Sequence, residues 1–227
     1  MASPKIGVVS WSGGKDSTMA LLRARQQGHD VRGLFTMFSP EDGTSRSHGL
    51  PPGLLEEQAA ALGLPLHRGA AGWDDYEAEF KRRVGALVKQ GIEAMVFGDI
   101  FLDDHRAWVE RVCGEVGCVA LEPLWGEPTG ELARAALDAG IEARICTVRS
   151  DKLPAGLLGE WLGEELIASF ERDGIDPCGE HGEYHTVVLA CPGFDRGIVI
   201  DRAETRRGPD HAHWHVHEWH GEMGADG

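Results

Sequence analysis

Short apolar runs alternate with helically spaced apolar stripes along the first half of the chain. Residues 5–11, KIGVVSW, read as a buried strand, followed by a helix over 18–27 closed by Gly28. VRGLFTMF (31–38) is a second strand, 54–62 a helix ended by Gly63, and LPLHR (64–68) a third strand. Over 74–90 the residues Tyr76, Phe80, Val84 and Val88 form one helical face, and Gly91 stops it. AMVFGD (94–99) is a strand, a helix opens at Asp103 or Asp104 and runs to Val116, and CVALEPL (118–124) closes the set.

Strands that alternate with helices predict α/β architecture: a Rossmann-like parallel sheet with right-handed crossovers. Ligands of such sheets sit beyond the carboxyl ends of the strands, where strand order reverses. SGGKDS (12–17) and Gly98–Asp99 both fall at strand ends, so this fold places them in one crevice. After EPLWGEPTG the pattern restarts: a helix from a Thr129 cap through Ala139, the strand ARICTV, helical residues over 159–171, a Gly-rich turn into HTVVL, and the strand GIVIDR. The expected division is a first domain over 1–123 that carries SGGKDS, a smaller α/β domain over 124–220 and a disordered tail over 221–227.

Composition adds limits. The chain of 227 residues carries 37 acidic and 22 basic side chains, a formal net charge of -15. That balance repels nucleic acid at long range. The apolar run at the N-terminus is too short for a signal peptide or a membrane span, so the default expectation is a cytoplasmic protein without a membrane partner. Five scattered cysteines contain no C-x-x-C pair and do not read as a disulfide framework. None is flanked by residues that mark a nucleophile.

Residues 8–22, VVSWSGGKDSTMALL, carry the strongest chemical signal. A Walker A loop would place Ser or Thr after the lysine, to hold a metal ion, and a glycine where Val9 stands. Asp16 occupies the Ser/Thr position, so that reading fails. What remains is a strand, a glycine-hinged turn with Lys15 and two serines, and a helix N-terminus. Such an arrangement suits an anion the size of pyrophosphate. Asp16 makes sense as a Mg²⁺ ligand or as a positioner of the loop.

SGGKDS after a first strand resembles the signature of the PP-loop ATP pyrophosphatases. Further segments, FGDIFLDDHRAWVE, EPLWG, HGLPPGLLEEQAAALGLPL and DPCGEHGEYHTVVL, are similar to the diphthine–ammonia ligase family and more closely to its bacterial-type, adenine nucleotide hydrolase-like relatives. The resemblance implies that ATP adenylates a carboxylate, pyrophosphate leaves, and ammonia displaces AMP to form an amide. It implies an ATP set of Ser12, Gly13, Gly14, Lys15, Asp16, Ser17 and Thr36, with Asp99 in the same crevice. It places Glu180, Gly182, Glu183, His185 and Thr186 on a second motif that faces ammonia or the acceptor, whose identity stays open, and it suggests a homodimer. The chain departs from the ligases at His185, where they carry Glu, at Glu160 and in DDHR, all on the acceptor side.

Other residues admit two readings. Asp99 either caps the next helix or serves Mg²⁺ or substrate. Asp103, Asp104 and Glu110 are helix-capping and solvated residues or part of the crevice. Arg106 suits bidentate contact with phosphate or the acceptor carboxylate, or an exposed salt bridge. Glu180 and Glu183 suit an ammonium ion or a base for ammonia. Cys178 could attack an adenylate, without a neighbour in sequence to activate it. His48 either reaches the acceptor or sits at the surface. His211, His213, His215 and His217 share one face of a strand, which either binds metal or forms the polar side of an edge strand. A non-catalytic nucleotide-binding module, or a tRNA-modifying enzyme of the same superfamily, is the alternative to the ligase.

Overall fold

The computed structural model describes residues 3–46 and 48–222. A parallel five-stranded sheet is built from β1 (Ile6–Ser10), β2 (Asp30–Phe38), β3 (Leu66–Ala70), β4 (Ala94–Val96) and β5 (Val119–Leu121), in the order β3-β2-β1-β4-β5. The connecting helices are α1 (Lys15–Gln26), α2 (Pro52–Ala61), α3 (Tyr76–Val88) and α4 (Asp103–Val116). Strand order reverses between β1 and β4, the expected switch point, and the loops after these two strands hold SGGKDS and Gly98–Asp99.

The second region contains α5 (Thr129–Asp138), α6 (Glu164–Asp173) and an antiparallel sheet of order β7-β6-β9-β8. Its strands are β6 (Glu142–Arg149), β7 (Tyr184–Ala190), β8 (Gly197–Arg207) and β9 (His211–Glu222). The two regions share a core. One face of the parallel sheet (Val9, Val96), with α1 and α2 (Leu21, Leu54, Leu55), packs continuously with Leu132, Val148, Phe170 and Val187 of the second region. On the other face, α3 and α4 close over Val8, Phe35 and Met95 through Phe80, Val84 and Val112.

Four details differ from the sequence expectation. Helix α1 starts at Lys15 with Gly14 as its N-cap, because Ser17 and Thr18 turn their hydroxyls back onto the Gly14 carbonyl at 3.0 and 2.9 Å. Pro128 is the N-cap of α5, while the Thr129 hydroxyl donates to Asp176 Oδ2 at 2.8 Å. Helix α6 begins only at Glu164, since residues 159–162 bond the backbone of β6 instead, with Ile145 N donating to Glu160 O and Leu162 N to Ala143 O. The histidine-rich segment is an inner strand, not an edge: β9 lies between β6 and β8 and extends through Gly221 and Glu222, where the tail was expected to begin. Residues 223–227 of that tail lie outside the described residues.

Phe80 is 2% exposed and meets Phe35 edge-on at 5.5 Å and Trp108 at 5.1 Å between ring centres. Phe80→Ala is expected to cost ~3–5 kcal/mol through lost burial and a residual cavity, read as a lower urea midpoint with an unchanged denaturant slope.

Candidate active site

The loop after β1 is held from three sides. Gly13 has a positive φ of 80°, which only glycine adopts readily, and a Cβ there would lie 2.5 Å from Leu55 Cδ2 and 2.7 Å from Gln58 Oε1 of α2. A Cβ on Gly14 would lie 2.5 Å from His48 Cε1 and 3.0 Å from the Thr186 carbonyl oxygen. One on Gly98 would lie 2.9 Å from the Asp16 carbonyl carbon. All three glycines are therefore needed for the protein's own close packing around the loop.

The third side is β7, an edge of the second sheet. Val188 N–H donates to Gly13 O at 2.9 Å, and the Lys15 N–H donates to Thr186 Oγ1 at 3.0 Å. The Lys15 ammonium donates to the Cys178 carbonyl, pairs with Asp16 Oδ2 at 2.8 Å and sits 5.1 Å from the centre of the Tyr184 ring. Lys15 is 2% exposed. Burial is the largest influence and works to lower its pKa, but Asp16, Tyr184 and Cys178 together outweigh it and hold the ammonium charged. The same burial pushes the Asp16 carboxyl up, and Lys15, paired with this 28% exposed side chain, opposes that rise. Ser12 and Ser17 hydroxyls lie 3.1 Å apart, and the N-cap Gly14 brings no side chain of its own, so only the Lys15 amide of the first turn is taken up by a side chain, Thr186. The N–H end of its dipole is open to an anion.

Beside the loop, Ser10, Trp11, Ser12, Thr36, Arg46, His48 and Tyr76 line a cleft of about 150 Å³ at the carboxyl ends of β1 and β2. The buried Thr36 hydroxyl donates to Trp11 O at 2.6 Å, so it shapes the cleft wall through the strand exit. A larger concavity of about 400 Å³, at Lys5, Glu93 and Cys118, opens at the opposite, amino ends of the strands, away from the loop. His48 Nδ1 lies 2.8 Å from Thr186 O. A carbonyl only accepts, so Nδ1 carries the proton and Nε2 keeps its lone pair. The His48 ring stacks on His185 at 4.5 Å. Burial lowers the His48 pKa to about 4 and that of His185 well below its ordinary value, leaving both neutral.

Around the second motif, Glu180 Oε1 accepts the Ile100 N–H at 2.9 Å, which ties the turn to the end of β4 beside Asp99. Burial raises the Glu180 pKa to about 7; the Ile100 N–H opposes this and the Asp16 and Asp99 charges add to it. Glu183 is 5% exposed, and among the described residues its Oε2 has no hydrogen-bond partner. Gly182 supplies a positive φ of 77° in that turn. Cys178 is buried, and burial pushes its thiol up, away from the nucleophilic thiolate. Asp99 accepts from His105 at 3.2 Å. Arg106 pairs with Glu110 at 2.9 Å and Glu122 at 3.7 Å and stacks on Trp125 at 4.7 Å; no hydrogen bond or ion pair joins it to the loop.

Asp16 does not make a metal site by itself. Its Oδ2 is engaged by Lys15, and no group of three or more His, Cys, Asp or Glu side chains among the described residues could hold a metal ion, the histidines of β9 included. No helix there is long and apolar enough to cross a membrane.

Three structural residues escaped the sequence reading. Gln58, fully buried, accepts from the Trp11 indole at 2.9 Å and donates to Gly13 O at 3.0 Å and Val188 O at 2.7 Å. Tyr184 lies under the Lys15 ammonium. Asp176 Oδ1 accepts from the N–H groups of Cys178 and Glu180, an Asx-type turn that the Asp-Pro pair could have signalled.

Comparison with known proteins identifies the family. Residues 5–120 match the family model for the diphthamide synthase N-terminal domain, and residues 128–222 match its C-terminal domain. A diphthine–ammonia ligase from Rattus norvegicus is 31% identical over 219 residues, covering 85% of this chain and 82% of that protein. One from Schizosaccharomyces pombe is 30% identical over 85% of this chain, which spans only 36% of the yeast protein. A tRNA-specific 2-thiouridylase MnmA from Alkalilimnicola ehrlichii shares 37% identity over 79 residues, 34% of this chain. Both halves of the chain, loop and second motif alike, thus match one family in order, and the chain belongs to the diphthamide synthase family of diphthine–ammonia ligases.

Proposed function

We propose that this protein is an ATP-dependent carboxylate–ammonia ligase acting on diphthine or a closely similar carboxylate. The reading rests on one observation above all: the Gly13–Ser17 loop, with the start of α1 and the buried Lys15 charge, is locked against the second motif that carries Glu180 and Glu183. A loop that only bound nucleotide would not need two carboxylates at its side.

In this account the cleft at Thr36, His48 and Tyr76 takes the adenosine, and residues 12–17 take the β- and γ-phosphates. An acceptor carboxylate oxygen attacks the α-phosphorus. The bond to the β,γ-diphosphate breaks, and pyrophosphate leaves with its charge on the loop amides. Ammonia nitrogen then attacks the acyl carbon, the bond to AMP breaks, and the nitrogen gives its proton to Glu180. Glu183 suits capture of an ammonium ion: a buried, unpartnered carboxylate gains both charge and N–H donors from it, and it takes the proton that the ammonium loses before its nitrogen can attack. His48 and His185 border the acceptor side as neutral rings.

Product analysis tests the reaction. With ATP, ammonium and a diphthine-bearing protein, AMP and pyrophosphate should form in equal amounts, each dependent on all three; ADP, or AMP formed without ammonium or acceptor, would contradict the ligase. Lys15→Ala should lower kcat/KM by ~10²–10³ by removing charge from the loop.

The pH dependence tests Glu180. A base must be ionised, so kcat/KM at fixed free ammonia should rise with pH through about 7 and level off above it. In Glu180→Gln this limb should vanish along with most of the rate; a limb that survives unchanged assigns the base elsewhere.

A further inference from the structure

Gln58 lies outside every motif discussed so far, yet it touches both sides of the loop's anchorage. Its amide is wholly committed. Two carbonyls, Gly13 O and Val188 O, face one end, so that end is the NH₂ group; the Trp11 indole N–H faces the other, so that end is the oxygen. Two stretches far from Gln58 in sequence therefore meet on its side chain: residues 11–13, from the exit of β1 to the first glycine of the loop, and β7. Gly13 O receives a second bond from Val188 N–H. Val188 thus turns both of its backbone groups away from β6 and toward the loop. Without β7 and Gln58, Gly13 O would lose both of these donors.

We infer that Gln58 is the positioning residue of the ATP loop and that strand β7 is part of the ATP site. The inference builds on the proposed ATP role of the loop. Gln58 sets the Gly13 carbonyl, and with it the direction of the N–H groups that follow, only when β7 is in place. The second region then prepares the loop for the diphosphate as well as presenting acceptor-side residues. Removing the amide while keeping the volume leaves Val188 O and the Trp11 indole buried without partners, and the loop gains freedom to swing.

The test is Gln58→Met, a volume-conserving change, read by amide hydrogen exchange on the ligand-free protein. The Lys15 and Val188 amides should exchange about tenfold faster or more, with β2, α3 and β8 unchanged. Affinity for ATP should fall by a similar factor while affinity for AMP, which lacks the diphosphate, stays at the wild-type level. Unchanged exchange at Lys15 and Val188 overturns the inference, as does uniformly faster exchange across the chain, which would make Gln58 an ordinary core residue. If Gln58→Met does not fold, Trp11→Phe is read by amide exchange alone, because Trp11 also lines the cleft, and should accelerate the same amides. The exchange readout needs no nucleotide: wild-type protein that bound no ATP would sink the ligase reading and leave this result standing.

Discussion

Everything at the site depends on the docking of one loop against one strand edge. Gly13 O takes donors from Val188 and Gln58, the Lys15 N–H finds Thr186, and the Lys15 ammonium reaches the Cys178 carbonyl across the boundary between the two sheets. Buried backbone groups require partners. Here a glycine-rich turn that cannot satisfy itself obtains them from β7. The cost is local: glycine at 13, 14 and 98, where a side chain would strike neighbouring atoms. The return is a rigid cradle at a helix start with a fixed positive charge beneath it.

The same docking explains the electrostatics. Lys15 stays charged although buried because Asp16 is adjacent and Cys178 supplies a carbonyl. Glu180 is pushed toward neutrality by burial and then by Asp16 and Asp99, because the β4 end and the second motif converge on the loop. His48 and His185 are kept neutral by their burial. One convergence of chain segments thus sets the protonation of both the Lys15–Asp16 loop and the turn that carries Glu180. Separated pKa values in a shared crevice are the usual mark of assigned acid and base roles.

Much of this was legible in the sequence because it is locally encoded. The strands of the parallel sheet are short apolar runs, and α3 shows its buried face in Phe80 and Val84. SGGKDS is visible because a glycine pair followed by Lys-Asp, set between a strand and a helix, is a contiguous local signature. The hidden parts depend on distant partners. Gln58 sits in α2 among alanines and glutamates and looks like any polar helix residue; its bonds reach 45 and 130 positions along the chain. Arg106 reads equally as an anion ligand or as one half of an exposed salt bridge, and only the fold shows that Glu110, Glu122 and Trp125 engage it. The start of α1 was misplaced because a serine side chain can cap a helix or bond back into it, and only the Gly14 carbonyl decides.

The central claim is that residues 13–17 grip the departing diphosphate. Amide chemical shifts in that loop, followed during titration with ATP, pyrophosphate and AMP, address it directly. ATP and pyrophosphate should both shift and slow the exchange of the Gly14, Asp16 and Ser17 amides, while AMP should perturb only the cleft around Thr36 and Tyr76. Loop amides that ignore pyrophosphate, or that respond to AMP as they do to ATP, would contradict it.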